Sequence, residues 1–208
     1  MLFSNDLKKL FLGVPKTGTQ TALSVLQDYS IPVAKKGMHP EADDCIQIAK
    51  RKGHEIAFPL KIYAIWRDPV DRFKSSLAYL KKTNPRIFLN LFPEKFNGID
   101  LPEDNTISPE FKQVLDTINF IDMKPIIYSN ILIILRPQLS WLGYGNVTCL
   151  PYSDYDNSLR TIMTDFGIDI TVDIPRLNVT DTSFIVEPTE QELEEIRNFY
   201  QYDYAYQP

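Results

Sequence analysis

Cysteine is scarce in this 208-residue chain, where only Cys45 and Cys149 occur. Two thiols cannot build the disulfide framework of a small secreted domain, and neither has the CxxC or Cys/His spacing that holds zinc. They read as buried free thiols, and no metal site is expected. An excess of positive charge is also missing. The formal net charge of −5 argues against broad electrostatic capture of nucleic acid or an anionic membrane, but it leaves room for a local anion site. Long hydrophobic runs are absent as well. The most apolar stretch, residues 125–135, is interrupted by polar groups and falls short of the roughly 20 residues that span a bilayer. Residues 1–18 lack an apolar stretch of about 7–15 residues ending in a small-residue cleavage site, and their hydrophobic part reads as the first strand. There is no internal repeat. The expectation is a soluble, cytoplasmic chain, and at roughly 150 residues per domain a single domain over residues 1–208.

What is present is a regular alternation. Leu10-Phe-Leu-Gly-Val14 is a short apolar run stopped by Pro15, and residues 16–21 lead as a polar loop into the apolar positions of residues 22–28. That order is strand, loop, helix. A second apolar segment spans 31–34. Residues 41–52 then carry Ala42, Cys45, Ile46 and Ala49 on a helical period. Leu60 to Trp66 is rich in β-branched and aromatic residues, and Asp68-Pro69 is a cap followed by a proline suited to a first helical turn, which predicts a helix over 70–81. Such alternation is the mark of an α/β protein with a parallel sheet, helices on its faces and right-handed crossovers. Residues 83–107, with three prolines among Asn and aromatics, read as a partly irregular insertion. Further expectations are a helix from Ser108-Pro109 to about Asp122, a helical turn over 137–142, a strand over 147–151, a helix from Asp154 to Phe166 stopped by Gly167, and a C-terminal amphipathic helix with Leu193, Ile196 and Tyr200 on one stripe. The acidic run 190–195 reads as a solvated face.

Two segments carry chemistry. Val14-Pro-Lys-Thr-Gly-Thr-Gln-Thr21 lies between a strand and a helix, where backbone N–H groups and the positive helix end converge on one concavity suited to a tetrahedral anion. Gly18 permits close approach, Thr19 and Thr21 offer hydroxyl donors, and Lys16 supplies positive charge. The Walker A order places lysine after its second glycine; here lysine precedes the only glycine by two positions, so the loop is of another kind. The second segment is Trp66-Arg-Asp-Pro-Val-Asp-Arg-Phe-Lys-Ser-Ser76, again at a strand end entering a helix. Arg67 is placed at the carboxyl edge where open α/β sheets bind ligands, and Arg67 and Ser75 suit convergence on one phosphate. Taken alone, this segment equally describes a capped helix with an Asp–Arg pair.

Together the two motifs resemble a family. The first is similar to the 5′-phosphosulfate loop, and the second to the 3′-phosphate motif, of sulfotransferases that use 3′-phosphoadenosine 5′-phosphosulfate (PAPS). Arg136-Pro-Gln-Leu-Ser-Trp-Leu142 and residues 194–204 resemble segments of its carbohydrate-type branch. The resemblance implies a three-layer, P-loop-nucleotide-hydrolase-like fold with a parallel sheet flanked by helices. It implies that Lys16, Thr17, Gly18, Thr19, Gln20 and Thr21 cradle the 5′ end, that Arg67 and Ser75 take the 3′-phosphate, and that the reaction moves a sulfuryl group to a hydroxyl acceptor, with carbohydrate favoured, without a metal. Tyr152, where relatives often carry an acidic residue, receives no role.

Sulfuryl transfer needs charge stabilisation on the departing phosphate, which falls to Lys16, and a base for the acceptor proton. Only His39 and His54 titrate near neutrality without a shift. His39 follows the second apolar segment and is expected at the edge of the phosphate loop, with Glu41, Asp43 and Asp44 as carboxylate alternatives. An ordinary loop histidine is the competing reading. Two other functions stay open: a P-loop nucleotide kinase using Asp68 as a metal-binding carboxylate, and a non-catalytic nucleotide-binding protein.

Overall fold

A computed structural model describes residues 1–34, 39–128, 130–143, 146–177 and 180–206. The chain divides into two compact units, one formed by Met1–Pro69, Pro137–Val179 and Tyr200–Pro208, the other by Val70–Arg136 and Thr180–Phe199.

The first unit is an α/β sandwich. Its strands are β1 (Leu2–Ser4), β2 (Lys9–Leu12), β3 (Ser30–Pro32), β4 (Lys61–Trp66) and β5 (Val147–Pro151), in the spatial order β3-β1-β2-β4-β5. Side chains alternate across a sheet. Leu10, Leu12, Ile62, Ala64 and Trp66 therefore face one helix, α2 (Ala42–Arg51), through Ala42, Cys45 and Ala49. Phe11, Tyr63 and Ile65 face the opposite layer, made of α1 (Thr19–Leu26) and α7 (Tyr155–Phe166). Burial on both faces explains why these strands read as unbroken apolar runs.

The sheet is mixed, which corrects the expectation of a parallel one. β2, β4 and β5 are mutually parallel, whereas β1 is antiparallel to both of its neighbours, β2 and β3. The reason lies in a turn at residues 5–8. Leu7 adopts φ 56°, its N–H donates to Ser4 O at 2.9 Å, and the Lys9 N–H donates to Ser4 Oγ at 3.0 Å. The N-terminal hydrophobic residues thus form a hairpin instead of one strand. β1 fills the gap between β2 and β3, whose directions agree, so the β2–α1–β3 segment remains a crossover with a foreign strand inserted.

The second unit is helical. It holds all but the first residue of α3 (Pro69–Thr83), then α4 (Arg86–Leu91), α5 (Pro109–Thr117), α6 (Phe120–Met123) and α8 (Glu190–Phe199). Its core is aromatic, with ring centroids 5.2 Å apart for Phe73 and Phe120 and 4.6 Å apart for Phe96 and Phe111. The helix expected from Ser108 to Asp122 is broken in two. Asn119 accepts from the N–H groups of Ile121 and Asp122, and the Asp122 carboxylate accepts from the Asn119 N–H, so a capping box starts a new helix. The acidic run of α8 is not wholly solvated either. Glu192 is buried, and its Oε2 accepts from the Thr189 N–H at 2.8 Å and hydroxyl at 2.9 Å. The last short helix, α9 (Gln201–Tyr204), returns to the first unit. No helix among the described residues is long and apolar enough to cross a membrane.

Candidate functional site

The loop between β2 and α1 has an unusual backbone. Lys16 adopts φ 64° and Gly18 φ 77°, both in the left-handed region that disfavours residues with a side chain. Gly18 is the N-cap of α1 and makes no side-chain cap bond. The first-turn N–H groups of α1 have no intrahelical acceptor by geometry, so they are presented at the positive end of the helix.

The carbonyls of the same loop are held by side chains. His39 Nδ1 lies 2.8 Å from Gly13 O. The Thr17 and Thr19 hydroxyls both donate to Val14 O, at 2.9 and 2.6 Å. Arg67 Nη1 donates to Lys16 O at 3.1 Å, and the Tyr155 hydroxyl donates to Gly18 O at 2.7 Å. Thr19, expected as a hydroxyl donor, donates within the loop. The Thr21 hydroxyl oxygen accepts from the Leu177 N–H at 3.1 Å, and Gln20 is half-buried in the first turn of α1.

Charge at the loop is concentrated. Burial, followed by the like charge of Arg67, lowers the Lys16 ammonium to about 8. The Arg67 guanidinium lies 4.6 Å from the centre of the Tyr152 ring, close enough for a cation–π contact. Its Nε is buried and has no hydrogen-bond partner among the described residues. An orphaned donor of this kind is costly unless an acceptor arrives, and an anionic oxygen would supply one.

Sequence reasoning missed how Arg67 is fixed. The fully buried Gln138 side chain bridges the Arg67 backbone, with Nε2 donating to Arg67 O at 2.7 Å and Oε1 accepting from Arg67 N–H at 3.1 Å. Asp203 of α9 in turn accepts from the Gln138 and Leu139 N–H groups at 2.8 and 2.9 Å, capping the 3₁₀ turn Gln138–Trp141. The only sequence signal was that both segments resembled parts of one family. Tyr155 gave no signal, because Gly18 lies 137 residues away from it.

His39 is half-buried beside Trp141, with ring centroids 6.1 Å apart. A carbonyl can only accept, so Nδ1 carries the proton in its bond to Gly13 O and the lone pair resides on Nε2. Burial lowers its pKa, against the opposing effect of the Gly13 carbonyl. The preceding loop residues 35–38 lie outside the described residues. Of the alternatives, Glu41 stands at the N-cap of α2, and Asp43 and Asp44 are exposed in its first turn. Ser75 belongs to the second unit. It is buried on α3, and its hydroxyl shares a 2.6 Å hydrogen bond with the Thr180 hydroxyl. Among the described residues no group of three or more His, Cys, Asp or Glu side chains is placed to hold a metal ion.

No protein-family model matches this sequence, and no curated protein matches it. Among solved structures it is similar to a sulfotransferase from Alicyclobacillus acidocaldarius, with 16% identity and a TM-score of 0.40 over 95% of this chain and 92% of that one. It is also similar to mouse sulfotransferase SULT7A1 complexed with PAP, with 17% identity and a TM-score of 0.32 over 99% of this chain and 69% of that one. Likenesses this remote decide nothing by themselves, and the site is read from its own geometry.

Proposed function

We propose that this chain is a cytoplasmic sulfotransferase that moves a sulfuryl group from PAPS to a hydroxyl, with carbohydrate as the favoured acceptor class. The observation that supports it best is the β2–α1 loop. Its carbonyls at Gly13, Val14, Lys16 and Gly18 are each bound by a side chain, while the first-turn N–H groups of α1 have no intrahelical acceptor.

The residues present fit the donor. The loop from Lys16 to Thr21 would hold its 5′ phosphosulfate, with Thr17 and Thr19 acting by fixing the loop and the first-turn N–H groups of α1 facing the anion. The orphaned Arg67 Nε suits the 3′-phosphate, a role the second motif also assigns to the Ser75 hydroxyl. When bound, the donor supplies the activated sulfuryl group. Lys16 places positive charge where negative charge grows on the departing phosphate, the situation in which fixed charge favours the transition state over the ground state. His39, held through Nδ1, presents the Nε2 lone pair to an acceptor hydroxyl and takes its proton.

Calorimetry separates this function from its rivals. Adenosine 3′,5′-bisphosphate is expected to bind without Mg²⁺, and ATP–Mg²⁺ weakly. Tight ATP–Mg²⁺ binding with no bisphosphate binding overturns the proposal in favour of a phosphotransferase. Turnover with PAPS over carbohydrate and other hydroxyl acceptors then distinguishes an enzyme from a nucleotide-binding protein.

A further inference from the structure

We propose that Tyr155 is a positioning residue that holds the phosphate loop with its N–H groups, rather than a carbonyl, turned toward the anion. The inference rests on the sulfotransferase reading and adds to it a residue of α7. An anion is repelled by carbonyl oxygens, so a loop that binds one must keep them turned away. Gly18 is where this matters most, since it is the N-cap of α1 and its left-handed backbone sets the direction of the first helical turn.

Gly18 O already accepts its helical bond from Ala22 N–H at 3.1 Å. The second, shorter bond from the Tyr155 hydroxyl at 2.7 Å exceeds what the helix needs, and its effect is to fix the carbonyl direction. The ring contributes independently. A Cβ on Gly18 would lie 2.3 Å from Tyr155 Cε2 and 2.7 Å from Cζ, so the ring packs against the glycine backbone. Tyr155 meets Tyr152 edge to face at 5.6 Å, the Tyr152 face carries the Arg67 guanidinium, and Arg67 binds Lys16 O. The carbonyls on either side of Thr17 are thereby tied together through three side chains. Burial also pushes the Tyr155 hydroxyl well above its ordinary range, which keeps it a donor at any working pH.

The test compares the wild-type chain with Tyr155→Phe, which keeps the ring and removes the hydroxyl. Calorimetry uses adenosine 3′,5′-bisphosphate and adenosine 3′-monophosphate, the latter lacking the phosphate assigned to the loop, and the unfolding midpoint of the free protein is measured in parallel. Loss of one hydrogen bond to the loop is expected to weaken bisphosphate binding about tenfold, to leave the monophosphate unchanged, and to shift the midpoint by only a few degrees. Unchanged bisphosphate affinity, or an equal loss for both ligands, overturns the positioning role and leaves the sulfotransferase reading standing. Failure of the wild type to bind the bisphosphate overturns both.

Discussion

Lys16 in the first unit and Lys81 in the second are both lowered by burial to about 8. Their surroundings differ in kind. The charge acting on Lys16 is that of another cation, Arg67, whereas Lys81 is acted on by Asp116 and Asp122 as well as by Lys112. Lys81 is fully buried and donates to Ile118 O at 2.8 Å. Lys16 is half-buried on a left-handed loop residue. A shifted pKa alone therefore does not mark a site. Lys16 is acted on by a like charge, while Lys81 lies among carboxylates and donates to a carbonyl. Both arginines bind carbonyls, Arg67 that of Lys16 beside the α1 N-terminus and the fully buried Arg72 those of Ile134 and Arg136 in its own unit.

Arg72→Met should produce the largest loss of stability, about 1–3 kcal/mol, because it removes its bond to Arg136 O and leaves Ile134 O with only the Ser76 hydroxyl; denaturant unfolding measures it. Lys16→Met should lower kcat about 10²–10³-fold, the scale of losing one charge-stabilising group, with little change in unfolding free energy. Equal stability losses for the two variants would break the comparison. Arg67→Met should weaken bisphosphate binding about tenfold or more, and Gln138→Leu should reproduce part of that loss without touching the ligand.

The pH dependences sharpen the same point. Lys16 binds an anion only while protonated, so kcat/KM of the wild type should fall as pH rises through about 8, and Lys16→Arg should flatten that limb. The His39 pKa is lowered, so the acid limb should lie below the ordinary histidine value of 6.5 and disappear in His39→Ala. Lys81 enters only through stability. Between about 8 and its ordinary value of 10.5 the unfolded chain binds more protons than the folded one, so stability rises with pH across this window. Lys81→Met should remove that part of the rise, with a net effect near neutrality of about 1 kcal/mol or less and no change in nucleotide affinity.

Local pattern was sufficient where the information is local. The stripe Ala42, Cys45, Ala49 and the Gly167 stop appear as read, with α2 and α7 ending within a few residues of expectation. Pro69 begins α3. The hairpin at residues 5–8 was hidden because Leu2 to Ser4 is too short to separate by periodicity from the strand that follows it. The break at Asn119 depends on a side chain choosing to cap instead of continuing a helix, which apolar spacing does not report.

The candidate site divides along the same line. Strand, proline, lysine, glycine and helix in one short stretch are enough to place a helix N-terminus after the loop, because the dipole and the free N–H groups are properties of that segment alone. Which carbonyls are turned away, and by which side chains, depends on residues 26 to 137 positions distant for His39, Arg67 and Tyr155. They reach it from three places in the fold, Tyr155 at the start of α7, Arg67 just after β4 and His39 ahead of α2. The sequence by itself determined that a strand, a short polar loop and a helix N-terminus follow one another; the tertiary structure decided how the loop is held, because hydrogen-bond partners so far apart in the chain meet only after the sheet has formed.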